Sequence, residues 1–439
     1  MNLQNNFNKL NSKIQEVFEN WDNKILPHLP QQMDEMAKRT GALHRKRGVC
    51  SSIDLLRILF LYACSSFSFR ILATAACALG ISVISDTAWR KRFSKAAPFL
   101  REILHSLLSA FLPAMDISTF DNVKNVLLVD ASVIRQNGKQ QHQQRIHLCY
   151  SLNENRMKQV KVSDQHTAES LAHFSMKKGD VVLADAGYGT AQNFIYAQEQ
   201  GADVILRITP KNFCLYDAQG EKLSLAALVK EAEEKHMEWI DVFGFCKYKG
   251  KTGFVRVIAH RLPDGQAAKA RKRKTRKASK NQHQIQAETL LSAGWITVVT
   301  SLGAEYSGEE ILHLYRSRWQ VELLFKRFKQ NFSIHTIKAG SSAYAETETL
   351  LWLIIWTIAE RQSFQAECYL VEKRECSYSV YEKCKILYIQ ITDILCLLSW
   401  SLFVDLTDKK YTRYLSKKQQ WRINQNEEFH SAVLPGLLC

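Results

Sequence analysis

What the chain lacks narrows it first. None of its eleven cysteines stands in a CxxC pair or at a regular spacing. That speaks against a zinc module and against a disulfide framework; in a chain of this length they read as reduced thiols, mostly core filler. The opening segment MNLQNNFNKLNSKI holds no apolar run of the kind a secretory leader needs. Internal repeats and long low-complexity linkers are also missing. One stretch, ILYIQITDILCLLSWSLFV from Ile386 to Val404, is long enough to cross a bilayer. Gln390 and Asp393 interrupt it, so a buried C-terminal helix is the better reading and no membrane partner is expected. Acidic residues are scarce beside basic ones, 43 against 59, which leaves a net charge of +16. Such a balance suits a polyanionic partner, nucleic acid first and an anionic membrane surface second.

What is present divides along the chain. Of the 439 residues, 46% are apolar, enough for several cores. Residues 1–115 read as helical. Within them SFRILATAACALGISVISDTAWRKRF has the shape of a helix-turn-helix, with Ala76 between the helices and Gly80 at the turn. Its second helix would present Thr87, Arg90, Lys91 and Arg92 to DNA; an ordinary helical hairpin with a basic face reads equally well. From residue 120 the pattern becomes strand-rich. NVLLVDASVI, RIHLCYSL, QVKVS, GDVVLADAGYG and ADVILRIT are strand candidates, with AESLAHFSM and AQNFIYAQEQG as helices between them. This order predicts an α/β fold with a mixed sheet. Residues 212–300 read as a further strand-rich region. Inside it Lys269–Lys280 carries eight basic residues and no acid, which predicts a solvated loop able to neutralise phosphates. Helices return from Ser307, which with Glu310 makes a capping box, and continue through a basic region at 371–439.

One segment, LYRSRWQVELLFKRFKQNF from Leu314 to Phe332, carries a single acid, Glu322, among cations and aromatic rings. On a helical wheel of about 100° per residue, Tyr315, Arg318, Glu322 and Lys329 fall within roughly 60° of one another. Leu314, Val321, Leu324, Phe325 and Phe328 fill the adjoining, core-facing arc. Lys326 and Arg318 are also placed to pair with Glu322 as simple salt-bridge partners. A lone carboxylate holds a metal ion poorly and needs acidic partners from elsewhere. Asp130, after VLLV, and Asp185, after VVLA, each end an apolar run. A carboxylate there is costly unless cations or donors meet it, although a strand-end Asp can also simply cap a turn. Two strand acids and a helix acid form an oxygen set suited to a hard divalent ion, Mg²⁺ or Mn²⁺. A pair of such ions serves phosphoryl transfer.

The spacing Tyr315-x2-Arg318-x3-Glu322-x6-Lys329 resembles the Tyr-Arg-Glu-Lys signature of bacterial DDE transposases of the family named for insertion sequence four. VLLVDASVI and GDVVLADAGYG resemble that family's first and second Asp motifs, in order, and Glu169 stands where the family often has an acid. Departures are mild: Ala186 follows Asp185 where many relatives have Arg, and Ser132 stands where Thr is frequent. The resemblance implies a ribonuclease H-like catalytic core over 120–211 and 301–370 and a β-rich insertion over 212–300. Helical flanks would complete the chain, the N-terminal one binding DNA and the C-terminal one a candidate for dimerisation. It implies Asp130, Asp185 and Glu322 as catalytic metal ligands for two Mg²⁺ ions, with Mn²⁺ able to substitute. Tyr315, Arg318, Lys326 and Lys329 would contact double-stranded DNA; Arg90 and Arg92 would do so from the helix-turn-helix, which the resemblance does not fix. Trp295 would stack on a flipped base, although a strand Trp can equally be core. The expected activity is metal-dependent cleavage and strand transfer at element ends, through a hairpin, by a homodimer in the bacterial cytoplasm. A catalytically silent repressor or a structure-specific nuclease on the same core are the alternatives.

Overall fold

A computed structural model describes residue 15 and residues 18–44, 48–109, 123–136, 143–154, 156–209, 212–282, 284–331, 336–338 and 342–372. The stretch from Ile386 to Val404 and nearly all of the region from 371 lie outside them. The chain forms two compact units, one of residues 108–342 and one of residues 1–107 with 343–439.

The first of these units is built on an eleven-stranded mixed sheet. In chain order the strands are β1 (Asn125–Gln136), β2 (Gln143–Ser151), β3 (Arg156–Asp164), β4 (Asp180–Ala184), β5 (Asp203–Arg207), β6 (Leu215–Tyr216), β7 (Lys222–Leu223), β8 (Trp239–Tyr248), β9 (Lys251–Arg261), β10 (Trp295–Thr300) and β11 (Thr336–Ile337). Their spatial order is β3-β2-β1-β4-β5-β10-β9-β8-β6-β7, with β11 beside the far end of β1. The meander β1–β2–β3 is antiparallel, whereas β1, β4 and β5 run parallel to one another. β10 then turns the sheet antiparallel again, so residues 212–300 extend this same sheet. The mixed α/β architecture is as expected.

The central strands are apolar on both faces, which is why VLLV and VVLA read as unbroken hydrophobic runs. Alternate residues serve different cores. Leu127, Val129, Val182, Ala184, Val204 and Leu206 pack on one side around Phe194 and Ile195. These last two belong to helix α6 (Ala191–Glu199). Leu128, Leu183 and Ile205 therefore face the other side, where helix α11 (Trp319–Asn331) lies against β1. The remaining helices of this unit are α7 (Leu225–Glu234), α8 (Asp264–Lys280), α9 (Ala287–Ser292) and α10 (Gly308–Arg316).

Helix α8 corrects the sequence reading of a basic loop, because Lys269–Lys280 is helical throughout. Charge alone argued for a loop. Backbone propensity decided otherwise, since Ala, Lys, Arg and Gln are good helix formers and only Thr275 is β-branched.

The other unit is helical: α1 (Met33–Arg39), α2 (Ser52–Cys64), α3 (Phe69–Ala78), α4 (Asp86–Lys95), α5 (Ala97–Ser109) and α12 (Ser342–Glu372). Ser51, Ser68 and Ser85 cap α2, α3 and α4 by accepting from the third residue onward. Tyr62 stacks on Phe69 and both meet Phe93 edge-on, and Thr347 of α12 donates to the Phe93 carbonyl at 3.0 Å. α3 and α4 form the expected hairpin, with Ala76 fully buried and Gly80 at φ +70° in the turn. Thr87, Arg90 and Lys91 are exposed on α4. Arg90 lies over the Phe69 ring, 5.0 Å from its centroid, and Arg92 is half-buried, with burial lowering its pKa.

Candidate active site

The parallel register of the sheet assembles the two aspartates. Val129 of β1 pairs with Ala184 of β4, so Asp130 and Asp185, one residue on, stand side by side at adjacent strands. Asp130 shares the parity of Leu128, and Asp185 that of Leu183, so both belong to the α11 side. Asp130 Oδ1 accepts from the Ala131 N–H at 2.8 Å, and Asp185 Oδ1 accepts from the Gly187 N–H at 2.8 Å. Burial pushes the Asp130 pKa up to about 7, with the neighbouring Asp185 and Glu322 adding to the rise.

α11 brings the third acid. Val321, Leu324, Phe325 and Phe328 are buried, as the helical wheel required. The helix is not continuous from Leu314, however. α10 ends at Arg316, and tight turns bridge to α11: the Ser317 N–H donates to the Leu314 carbonyl and the Arg318 N–H to the Tyr315 carbonyl. Ser317 Oγ also donates to the Leu314 carbonyl, at 2.6 Å, so a side chain takes an acceptor that the helix ladder would use. The predicted capping box of Ser307 and Glu310 is present at the start of α10.

Asp130, Ser132, Glu322, Phe325, Lys326, Lys329 and Gln330 line one cleft of about 380 Å³. Lys329 is half-buried; burial lowers its pKa and the Asp130 charge partly restores it. Arg318 is paired with Glu322, and its guanidinium lies over the Tyr315 ring, 5.7 Å from the centroid. Two groups here are left over. The Tyr315 hydroxyl and Arg318 Nε are buried, and neither has a hydrogen-bond partner of good geometry. Buried donors of this kind are normally satisfied.

Other residues surround Asp185 as well: Glu169, already singled out in the sequence, and Arg207, Arg145, Tyr188 and His147, which were not. Arg207 ends β5 in the next register position, because Ala184 pairs with Leu206. Its signal was available in ADVILRIT, which ends an apolar run on a charge just as VVLAD does. Glu169 leans over the Asp185 turn: a Cβ on Gly187 would fall 1.7 Å from its Oε2. Burial and then Asp185 raise the Glu169 pKa, and Arg145 approaches it at 3.9 Å. Beneath the turn Tyr188 is fully buried, its hydroxyl 3.5 Å from His147 Nδ1, while His147 Nε2 is 2.9 Å from Ser163 Oγ.

Trp295 is placed elsewhere than expected. Only 3% of it is exposed; it packs with Val229, Ala232, Ile240 and Ala259, and its indole N–H donates to Glu233 at 2.8 Å. An indole so enclosed presents no face for a base to stack on, which corrects the stacking expectation. The alternative, a core Trp, is what the fold uses.

Asp130 and Asp185 thus stand on adjacent strands, and Asp130 shares a cleft with Glu322, Lys326 and Lys329. Residues 121–358 match the family described as a transposase DDE domain. The chain is 31% identical over 339 residues to the transposase of insertion sequence element IS421 from Escherichia coli, covering 75% of this chain and 90% of that one. It is 30% identical over 338 residues to the InsL protein of element IS186A from Escherichia coli strain K12, with the same coverage of 75% and 90%. The transposase of element IS231B from Bacillus thuringiensis subsp. berliner is 23% identical over 414 residues, covering 85% of this chain and 86% of that one. The chain belongs to the DDE-domain transposases.

As they stand, no three carboxylate, imidazole or thiol groups among the described residues are close enough to hold one metal ion. The donor chemistry nonetheless fits the divalent metal on which this family's reaction depends. Asp130 is a desolvated carboxylate whose pKa is raised by burial, with Asp185 and Glu322 adding to the rise, and such oxygen donors suit a hard divalent ion. No described helix is long and apolar enough to cross a membrane.

Proposed function

We propose that this transposase is a cut-and-paste enzyme of the group named for insertion sequence four, acting at the ends of its own element. The observation that carries the proposal is the β1–β4 register, which sets Asp130 beside Asp185 under a helix bearing Glu322. The strand order β3-β2-β1-β4-β5, with its antiparallel meander and parallel pair, supports a ribonuclease H-like core. In that reading the core is drawn from residues 120–211 and 301–370; its part up to 342 lies in the sheet unit, whereas 343–370 group with the N-terminal helices, and 212–300 form an insertion that prolongs the sheet. Residues 1–115 bind DNA through the α3–α4 hairpin.

Asp130, Asp185 and Glu322 are the residues that would hold two Mg²⁺ ions, or Mn²⁺ in their place. Bound there, the ions lower the pKa of an attacking water or hydroxyl and neutralise charge on the transferred phosphoryl group. Arg318 and Tyr315 offer their unpartnered donors to the scissile phosphate, and Lys329 and Lys326 grip its neighbours. Positioning and charge neutralisation supply most of the catalysis in such a transfer. Water nicks one strand, and the freed 3′-hydroxyl attacks the opposite strand to close a hairpin. After water reopens the hairpin, the 3′-hydroxyl attacks target DNA. Two ends must be joined to one target, so a homodimer working in the nucleoid is the assembly proposed.

The test uses the full chain and duplexes carrying the inverted repeats that flank its reading frame. Nicked and joined products in Mg²⁺ support the proposal. Binding with no cleavage in Mg²⁺ or Mn²⁺ identifies a silent repressor, and hydrolysis with no joined product identifies a nuclease.

A further inference from the structure

Helix α8 presents an unusual surface. At about 100° per residue its sides fall into opposite halves. Ala267, Arg271 and Ala278 share the inner side, Ala267 buried and the other two half-buried; Lys274 lies on the same arc but is exposed. Lys269, Arg273, Arg276 and Lys280 lie within roughly 60° of one another on the outer side, and all four are exposed. No ion pair involving these four is found among the described residues. Lys269 and Arg273, and again Arg276 and Lys280, are like charges one turn apart, a spacing that weakens a helix. With no acid among the described residues to relieve such repulsion, this face suits an anionic partner.

Its location gives that surface a purpose. The parallel strands β4 and β5 run toward Asp185 and Arg207, and β10 runs back from that same edge, with Val298 opposite Arg207. β9 runs antiparallel to β10 and ends at Arg261, three residues before α8 begins. α8 therefore starts from the edge that carries the catalytic aspartates. Arg271 fastens it there: its Nε donates to the Leu290 carbonyl at 3.3 Å, and its guanidinium crowds Gly294 at the mouth of β10. Arg207 stands between the two regions. It is close enough to Lys274 to help lower that amine's pKa, after burial and Lys277, and close enough to Tyr315 to act on the phenol. Its backbone packs against the turn that follows Asp185, since a Cβ on Gly189 would fall 2.2 Å from the Arg207 carbonyl oxygen.

We infer that a DNA strand leaving the catalytic carboxylates passes over Arg207 and lies along the outer face of α8, whose four cations neutralise its phosphates. This rests on the proposed transposase reading for the identity of the polyanion. The outer cations span the twelve residues from Lys269 to Lys280, about 16 Å of helix. Duplex DNA carries one charge per about 1.7 Å of axis, so phosphates are available along the whole of that length.

The experiment measures binding of the full chain to a labelled element-end duplex of about 40 base pairs, without divalent metal, from about 50 to 200 mM salt. Wild type is compared with K269Q/R273Q/R276Q/K280Q, with R207Q, and with a control, K230Q/K235Q, on α7. Glutamine keeps helix propensity, and circular dichroism checks that α8 survives. Each phosphate contact contributes about 0.9 to the slope of log affinity against log salt. The quadruple variant is expected to flatten the slope by about 3 to 4 and R207Q by about 1, with the control unchanged. A slope in the quadruple variant within about half a unit of wild type overturns the inference, as does an equal loss in the control. Loss of binding to phosphatidylserine vesicles with an intact DNA slope overturns it too, and makes α8 a membrane contact. Failure of wild type to cleave in Mg²⁺ sinks the transposition reading alone, because the slope is read without metal.

Discussion

Arg318 closes an ion pair on Glu322 from one turn upstream, so the helix carboxylate meets a guanidinium at the mouth of the cleft it shares with Asp130. Side chains that act as one unit are not additive. Glu322→Gln and Arg318→Ala are each expected to slow single-turnover nicking by about 10²-fold or more, while element-end binding changes little for Glu322→Gln. The double variant should be scarcely slower than the worse single one. Independent, multiplying losses would show that the pair does not work together.

Asp130 is expected to trade stability for function. Its folded pKa of about 7 lies above the unfolded value, so above pH 4 the ionised carboxylate is a burden on the fold. Asp130→Asn removes that burden and should raise stability near neutral pH by about 1–3 kcal/mol while abolishing cleavage. Millimolar Mn²⁺ or Mg²⁺ should raise the melting temperature of wild type and do so much less for the variant. An equal metal response in both proteins would remove Asp130 from the ligand set.

Trp295→Ala is expected to cost about 3–5 kcal/mol, the usual penalty for emptying a buried Trp site. Nicking and every later step should then decline together with the folded fraction. Trp295→Phe keeps most of the packing and leaves Glu233 its contact with Arg261 at 3.6 Å. A Phe variant as stable as wild type but slow at one late step would restore the base-stacking role.

His147 should make the fold acid-sensitive. It is fully buried, and burial, followed by His173, Arg145 and Lys161, lowers its pKa to about 4. The unfolded chain takes up that proton first, so stability falls as pH drops through the window from about 6.5 to about 4. The loss should be roughly 1–3 kcal/mol, read from urea midpoints. His147→Gln should flatten that part of the curve. An unchanged pH profile would mean that the imidazole is solvated.

Much of this was legible in the residues. VLLVD and VVLAD declared buried strands because both faces of a central parallel strand are apolar, and the four core-facing residues of α11 followed from helical periodicity. The capping box named the start of α10. Other features were hidden for definite reasons. The break at Ser317 depends on a side chain competing for a backbone carbonyl, which periodicity does not register. The helicity of Lys269–Lys280 was overruled by its charge. A Trp in a strand looks the same whether its indole is enclosed or free, and only the Glu233 acceptor and its apolar neighbours decide.

By itself the sequence determined the chemistry available: which acids end which strands, which helix carries the lone Glu among cations, and what spacing ties it to Tyr and Arg. Those follow from local periodicity and desolvation cost, which act over a few residues. Only the tertiary structure decided the neighbours. Glu322 lies 137 residues beyond Asp185, and strand register and parity, not spacing along the chain, set Asp130 beside Asp185. The same register places Arg207 next in the row and leads from it to α8. Hydrogen bonds between strands fix such contacts, and they have no signature in the order of residues on either strand alone.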